Sequence, residues 1–109
     1  GNKVEDFGVG FYTKYGDGGV DISPIADCNK TEVWELGKEL GILKEIIDAP
    51  PTDGLWDDGR TDEGQLGLSY KELEEAMDNE NSVNRDKYNS IRSTNLHKME
   101  PIPVCKIPN

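Results

Sequence analysis

The chain is poor in basic residues, in apolar residues and in the side chains that bind soft metals. Its 109 residues hold 12 Lys+Arg against 22 Asp+Glu, a formal net charge of −10. A deficit of that size excludes a nonspecific nucleic-acid binder and a membrane-surface protein, both of which need cations to meet phosphate. Histidine occurs once, at His97, and Cys28 and Cys105 have no CxxC spacing. The two thiols therefore read as buried or idle rather than as a metal cluster or a disulfide. Only 34% of residues are hydrophobic and 7% aromatic, which suits one domain with a thin core. No run approaches the roughly 18 consecutive apolar residues of a membrane span, and the opening Gly1-Asn2-Lys3-Val4-Glu5-Asp6 lacks the apolar stretch of a signal peptide. These absences lead to the expectation of a soluble, cytoplasmic protein with no nucleic-acid or membrane partner.

The acid surplus is uneven. Residues 45–80 hold twelve acids and two bases, whereas residues 81–109 hold two acids and five bases. Ahead of the acidic block, Gly16, Gly18 and Gly19 demand a loop whose backbone N–H groups stay accessible. Val20 to Ile25 predicts a short strand, with Pro24 stopping it. Asn29 with Glu32 three residues on predicts a capped helix start, with Val33, Leu36, Gly37 and Leu40 on one face and Gly41 at the end. Residues 43–48 add a helical turn before Pro50 and Pro51 forbid continuation. From Thr52 to Gly67 the chain is polar and glycine-rich without a periodic pattern, as expected of a functional lid or a disordered loop. Ser69 with Glu72 caps a second helix whose apolar face is Tyr70, Leu73, Ala76 and Met77. Val83, Tyr88 and Ile91 suggest a third helix, and Pro101, Pro103 and Pro108 an extended tail. One short strand cannot make a sheet, so the expectation is an α/β fold whose remaining strands lie outside these residues.

Three stretches are more specific than composition. They are Lys14-Tyr15-Gly16-Asp17-Gly18-Gly19-Val20-Asp21; Pro51-Thr52-Asp53-Gly54-Leu55-Trp56 with Thr61-Asp62-Glu63-Gly64-Gln65-Leu66-Gly67; and His97-Lys98. Together with Gly1-Asn2-Lys3-Val4-Glu5 and with Lys30 in Asn-Lys-Thr-Glu, their order and spacing resemble the ammonia-dependent NAD synthetases over nearly the whole chain. The resemblance covers the C-terminal part of such an enzyme; the family's ATP loop, Ser-Gly-Gly-x-Asp-Ser, is absent. It implies the C-terminal part of a Rossmann-like adenine-nucleotide alpha-hydrolase fold, mostly helical here with about one core strand, and a mobile substrate-covering loop at about 52–67.

The resemblance also implies an activity and a site. NAD synthetases adenylate the nicotinate carboxylate of deamido-NAD with ATP and magnesium, releasing pyrophosphate; ammonia then displaces AMP. Glu5 matches the magnesium-binding glutamate by motif, with Asp6 the alternative by spacing, and Thr52 the hydroxyl that reaches phosphate or a second magnesium. Lys30 matches the lysine facing ATP phosphates. Lys14, Asp17, Asp21, Gln65, His97 and Lys98 match the deamido-NAD side, although Gln65 stands where several members carry a glutamate. A homodimer is implied for the whole enzyme, and inactivity is expected of these residues alone. The competing expectation, from the charge block and thin core, is an acidic, partly disordered interaction module without catalysis.

Overall fold

Short helical segments carry all the regular structure in residues 1–108, which the computed structural model of the chain describes. A π-helix, Val4–Val9, is followed by the α-helices α1 (Lys30–Glu39), α2 (Lys44–Ile47), α3 (Asp62–Leu66), α4 (Tyr70–Asp78) and α5 (Arg85–Asn95), and by a 3-10 helix, Leu96–Met99. The π-helix, α4 and α5 pack on one another. Between them lie the buried Val4, Val9, Leu73, Ala76 and Tyr88, joined by Leu66 and Leu68 from the α3–α4 junction.

The helix ends explain why these short elements hold together. Ser69 and Glu72 form the expected capping box at the start of α4: the Glu72 N–H donates to Ser69 Oγ at 3.1 Å and the Ser69 N–H to Glu72 Oε1 at 3.0 Å. At the other end, Arg85 Nη1 donates to the carbonyls of Ala76 (2.6 Å) and Met77 (3.1 Å). The π-helix ends at Gly10, where φ is +70° and an added Cβ would stand 2.6 Å from Asn95 Cβ. Only glycine satisfies both the left-handed backbone and the close approach. Arg92 Nη1 donates to the Phe7 and Gly8 carbonyls, and Lys98 Nζ to the Gly10 carbonyl at 2.8 Å. Cations thus meet the carbonyls that a helix C-terminus leaves open.

Several expectations are corrected. Residues 20–25 form no strand: Val20 and Ile22 are 58% and 76% exposed, and residues 23–28 turn through Ala26 N–H to Ser23 O and Cys28 N–H to Ile25 O bonds. A strand needs a neighbour for its backbone groups, and no described segment provides one. Asn29 stands at the start of α1, but its side chain makes no cap bond and its Oδ1 is buried without a partner. Leu36 and Leu40 on the expected α1 face are exposed, as are Ile42, Leu43 and Ile46 beside them. The polar stretch from Thr52 to Gly67 is not irregular throughout. Its second half winds into α3, with the Gly64 N–H on Thr61 Oγ1 (3.0 Å) at the start and Gly67 (φ +74°) at the end. A five-residue helix is too short to show a period. The Asp62 N–H donates to the Pro51 carbonyl at 2.9 Å, closing residues 52–61 into a loop at its root. Val83 lies outside α5 and is 97% exposed.

Cys28 and Cys105 are free thiols. Among the described residues, no helix is long and apolar enough to cross a membrane. The radius of gyration is 15.9 Å, against about 13 Å for a compact chain of this length. Residues 101–108 are exposed and carry no regular structure, and apolar side chains of α1 and α2 stay uncovered.

Replacing Ser69 with Ala should lower stability by about 1 kcal/mol, and Leu73→Ala by about 2–5 kcal/mol, in urea unfolding followed by circular dichroism. No loss for Ser69→Ala would show that the capping box does not hold the start of α4.

Candidate functional site

Tyr70, the first residue of α4, is fully buried, and a buried phenol needs polar partners. Its hydroxyl donates to Asp62 Oδ2 at 2.8 Å and meets Glu5 Oε1 at shorter range. Trp34 packs edge-on against its ring, with centroids 6.4 Å apart and planes at 84°. Lys30, the first residue of α1, places Nζ 4.9 Å from the ring centroid and 3.7 Å from Glu5 Oε1. Asn2 Nδ2 donates to the other Glu5 oxygen at 2.7 Å. One tyrosine thus gathers residues from the π-helix, α1, α3 and α4.

Charge and burial set the protonation behaviour of this group. Burial first, then the hydrogen bond to Glu5 and the Glu5 charge, push the Tyr70 hydroxyl far above its ordinary range, so it remains a donor. Burial raises the Asp62 carboxyl, as do the charges of Glu5 and Asp53, against lowering by the Tyr70 hydrogen bond and Lys30. Asp6 is raised chiefly by burial, with the Glu5 and Asp17 charges adding to it.

Glu5, Asp6, Asp17, Thr52, Asp53 and Asp62 line one cavity of about 140 Å³. Beside it, Phe11, Tyr12, Asp17, Asp53, Leu55 and Lys98 line a second, of about 200 Å³. Thr52 also borders a larger apolar cleft of about 420 Å³ whose wall includes Lys30, Trp34 and Pro51. Among the described residues, no three His, Cys, Asp or Glu side chains are grouped so as to hold a metal ion by themselves. Magnesium does not require that, since it is usually held by one or two carboxylates with phosphate and water. The side-chain donors lining the cavity are all hard oxygens, and Asp62, one of the lining residues, keeps its Oδ1 buried without a partner. The residues present therefore fit such an ion.

The residues singled out from the sequence are brought together only in part. Glu5, Asp6, Asp17 and Thr52 share the first cavity, and Lys30 touches it through Glu5. Thr52 Oγ1 donates to the Arg60 carbonyl at 3.1 Å and accepts from the Gly54 N–H at 3.2 Å, so it braces the 52–61 loop. Asp17 Oδ1 accepts from the Thr13 N–H at 2.6 Å. Lys98 lines the second cavity, with Nζ 5.6 Å from the Tyr12 ring centroid. Asp21 is exposed and lines neither cavity. Lys14 turns away from both and donates to the His97 carbonyl at 2.8 Å and to that of Glu100. His97 is exposed, and its contact to Lys14 is made by the backbone. Gln65 Nε2 donates to Asp53 Oδ2 at 3.2 Å, a bond that a glutamate at this position could not make.

Tyr70, Asp62, Asp53 and Tyr12 received no role from sequence. Tyr70 was expected in an apolar face, where its periodic position hid its hydroxyl. Tyr12, whose hydroxyl donates to the Lys98 carbonyl at 2.8 Å, carried no motif signal. Asp62 and Asp53 did lie in one of the quoted motifs, and a signal for Asp62 was its place just after the Thr61 cap.

Comparison with known proteins converges on one family. The NAD synthase family model matches residues 1–106. The NH(3)-dependent NAD(+) synthetase of Alkaliphilus oremlandii is 43% identical over 101 residues, covering 91% of this chain and 40% of the relative. That of Methanosarcina acetivorans is 52% identical over 77 residues, covering 71% and 29%. The chain thus spans less than half the length of these curated relatives. Among solved structures, the NMN synthetase from Francisella tularensis matches with a TM-score of 0.84 at 32% identity, over 98% of this chain and 45% of that one. A family model matching nearly end to end, on a chain whose acidic cavity is lined by Glu5 and Thr52 with Lys30 paired to Glu5, establishes that the chain belongs to the NAD synthase family.

Proposed function

We propose that this chain is the C-terminal part of an enzyme that converts deamido-NAD to NAD with ATP and ammonia. The reaction runs through an adenylated nicotinate carboxylate and releases pyrophosphate and AMP. The observation that carries the reading is the convergence of Glu5, Lys30 and Thr52 at adjoining cavities. Lys30, at the start of α1, faces the triphosphate and offsets its charge as pyrophosphate leaves. Glu5 and Thr52 would hold magnesium, with Asp6 the alternative carboxylate; bound there, the ion supplies charge neutralisation on the phosphates. Asp17 and Lys98, with the Gly18–Gly19 backbone, orient the dinucleotide, and Lys14 and His97 fix the 3-10 helix that presents Lys98. Asp21 and Gln65 complete the substrate side in this reading, Gln65 through its bond to Asp53.

The 52–61 loop is the lid. It is closed at its root by the Asp62–Pro51 backbone bond and carries exposed Leu55 and Trp56 at its tip. Arg60 stacks on Trp56 with its guanidinium 3.9 Å from the ring centroid and pairs with Asp58 at 2.7 Å. A lid with a fixed root and an exposed tip excludes water when substrate is present and releases product when it opens. The uncovered apolar face of α1 and α2 docks against the remainder of a Rossmann-like domain, where the parallel strands and the ATP loop reside. The whole enzyme is a cytoplasmic homodimer in this reading. The alternative of an acidic recruiting module without catalysis is disfavoured, because α3 and α4 occupy the acidic block and bury Asp62, Tyr70 and Glu74.

The complete enzyme should form NAD from deamido-NAD, ATP, magnesium and ammonia, and residues 1–109 alone should form none. Sustained turnover by residues 1–109 would overturn their incompleteness, and turnover of the deamidated mononucleotide in place of deamido-NAD would reassign the substrate. Lys30→Ala should lower kcat/KM by about 100-fold, the scale of removing one group that stabilises developing charge. Gln65→Glu sets a carboxylate against Asp53, a repulsion of about 1 kcal/mol. It should raise the KM for deamido-NAD roughly fivefold, and Asp53→Asn in the same chain should reverse that rise.

A further inference from the structure

We propose that Asp62 supplies a further oxygen ligand to a divalent cation in the cavity it shares with Glu5, and that Tyr70 is the positioning residue that holds both carboxylates there. Asp62 is 5% exposed and lines the cavity, yet its Oδ1 has no hydrogen-bond partner. A buried carboxylate oxygen left unpaired is costly, so a partner is missing from the protein side. Its other oxygen accepts from the Tyr70 hydroxyl at 2.8 Å, and the same hydroxyl meets Glu5 Oε1. One phenolic proton faces two carboxylates and can be donated fully to only one of them. The one cationic side chain in the cluster, Lys30, lies 3.7 Å from Glu5. Asp6, Asp17 and Asp53 line the same cavity and add charge of the same sign. Among the described residues, no cationic side chain pairs with Asp62, whose Oδ1 is left without a partner.

The chemistry of the site selects the ion. Every side-chain donor is oxygen, which suits a hard cation, and among the described residues no three His, Cys, Asp or Glu side chains form a ready-made metal group. Magnesium accepts that arrangement, taking the rest of its octahedron from water or phosphate. Ligating carboxylates are in turn oriented by hydrogen bonds on their outer oxygens, which is what Tyr70 gives to Asp62 and Asn2 to Glu5. Because Asp62 also closes the root of the 52–61 loop through its N–H, an ion bound to its side chain acts on the lid's hinge.

The inference deepens the reading of Glu5 as a magnesium ligand. Its test reads metal binding without turnover, so either can fail alone. Manganese(II) titrated into the complete enzyme without nucleotide should broaden the amide signals of Glu5, Asp62 and Tyr70 before those of residues 74–80 or 32–39, the other acidic stretches. Absence of broadening at millimolar manganese, or broadening centred on those stretches, overturns the proposal with no variant needed. Asp62→Asn, checked for folding by circular dichroism, should raise the half-effect concentration at least tenfold, whereas Asp53→Asn, which removes the same charge nearby, should raise it less than threefold. Equal weakening by the two would reveal diffuse acidic attraction and overturn the site; should Asp62→Asn unfold, the wild-type broadening pattern decides. Tyr70→Phe should weaken binding at least threefold, and unchanged affinity would remove its positioning role.

Discussion

A phenol taken out of water must bring its hydroxyl to polar partners, and in this chain Tyr70 finds them in Asp62 and Glu5. That requirement joins three segments that have little else in common: the π-helix that carries Glu5, the short α3 that begins with Asp62, and α4, whose capping box fixes Tyr70 itself. Lys30 and Trp34 then pack on two aspects of the same ring and bring α1 into register. The acidic cavity is a by-product of satisfying one buried hydroxyl with two carboxylates. Desolvation works against both anions, and Lys30 and Asn2 offset part of that cost at Glu5.

The chain's charge acquires a different meaning in this light. Twelve of the acids fall within residues 45–80, but they do not act together. Asp53 and Asp62 turn to the cavity, Glu72 caps a helix, Asp58 pairs with Arg60, and Glu74 is buried against Thr31. Four of the five cations of the C-terminal third are likewise committed. Arg85, Lys87, Arg92 and Lys98 each donate to backbone carbonyls at the ends of other segments. A polar composition with a thin core is thereby compatible with order, because charged side chains close helix ends that apolar contact alone would leave open.

The parts of the fold that could be read from sequence are those governed by neighbours in the chain. The Ser69 and Glu72 box, the stop at Gly41 and the turn before Pro50 depend on residues within a few positions of one another, and they form as expected. Where the outcome depends on distant partners, local reading failed. Val20 and Ile22 have strand-forming side chains but no neighbouring strand among the described residues, and Leu36 and Leu40 on the apolar face of α1 stay exposed. The site divides in the same way. Glu5, Lys30 and Thr52 were recognisable by motif, and their convergence followed. Tyr70 was legible as apolar and not as a hub, since its role arises from Glu5, 65 positions away. Lys14, matched to the substrate side by motif, also donates to the carbonyls of His97 and Glu100, partners more than eighty positions away.

The cations that close the π-helix carry a consequence for the order in which the protein becomes itself. Arg92 and Lys98 reach back across more than eighty residues to the carbonyls of Gly8 and Gly10, and Asn95 fills the space that Gly10 leaves. A ribosome adding about 5–20 residues per second needs roughly 4 to 17 s to deliver those partners after Gly10 has emerged. Throughout that interval the segment bearing Glu5 has exposed valines and an open helix end, while α1 and α2 are already synthesised. The end of the helix that carries Glu5 is therefore closed only when the final turn of α5 and the segment after it arrive, and a chain released before that point would leave the Gly8 and Gly10 carbonyls without these partners.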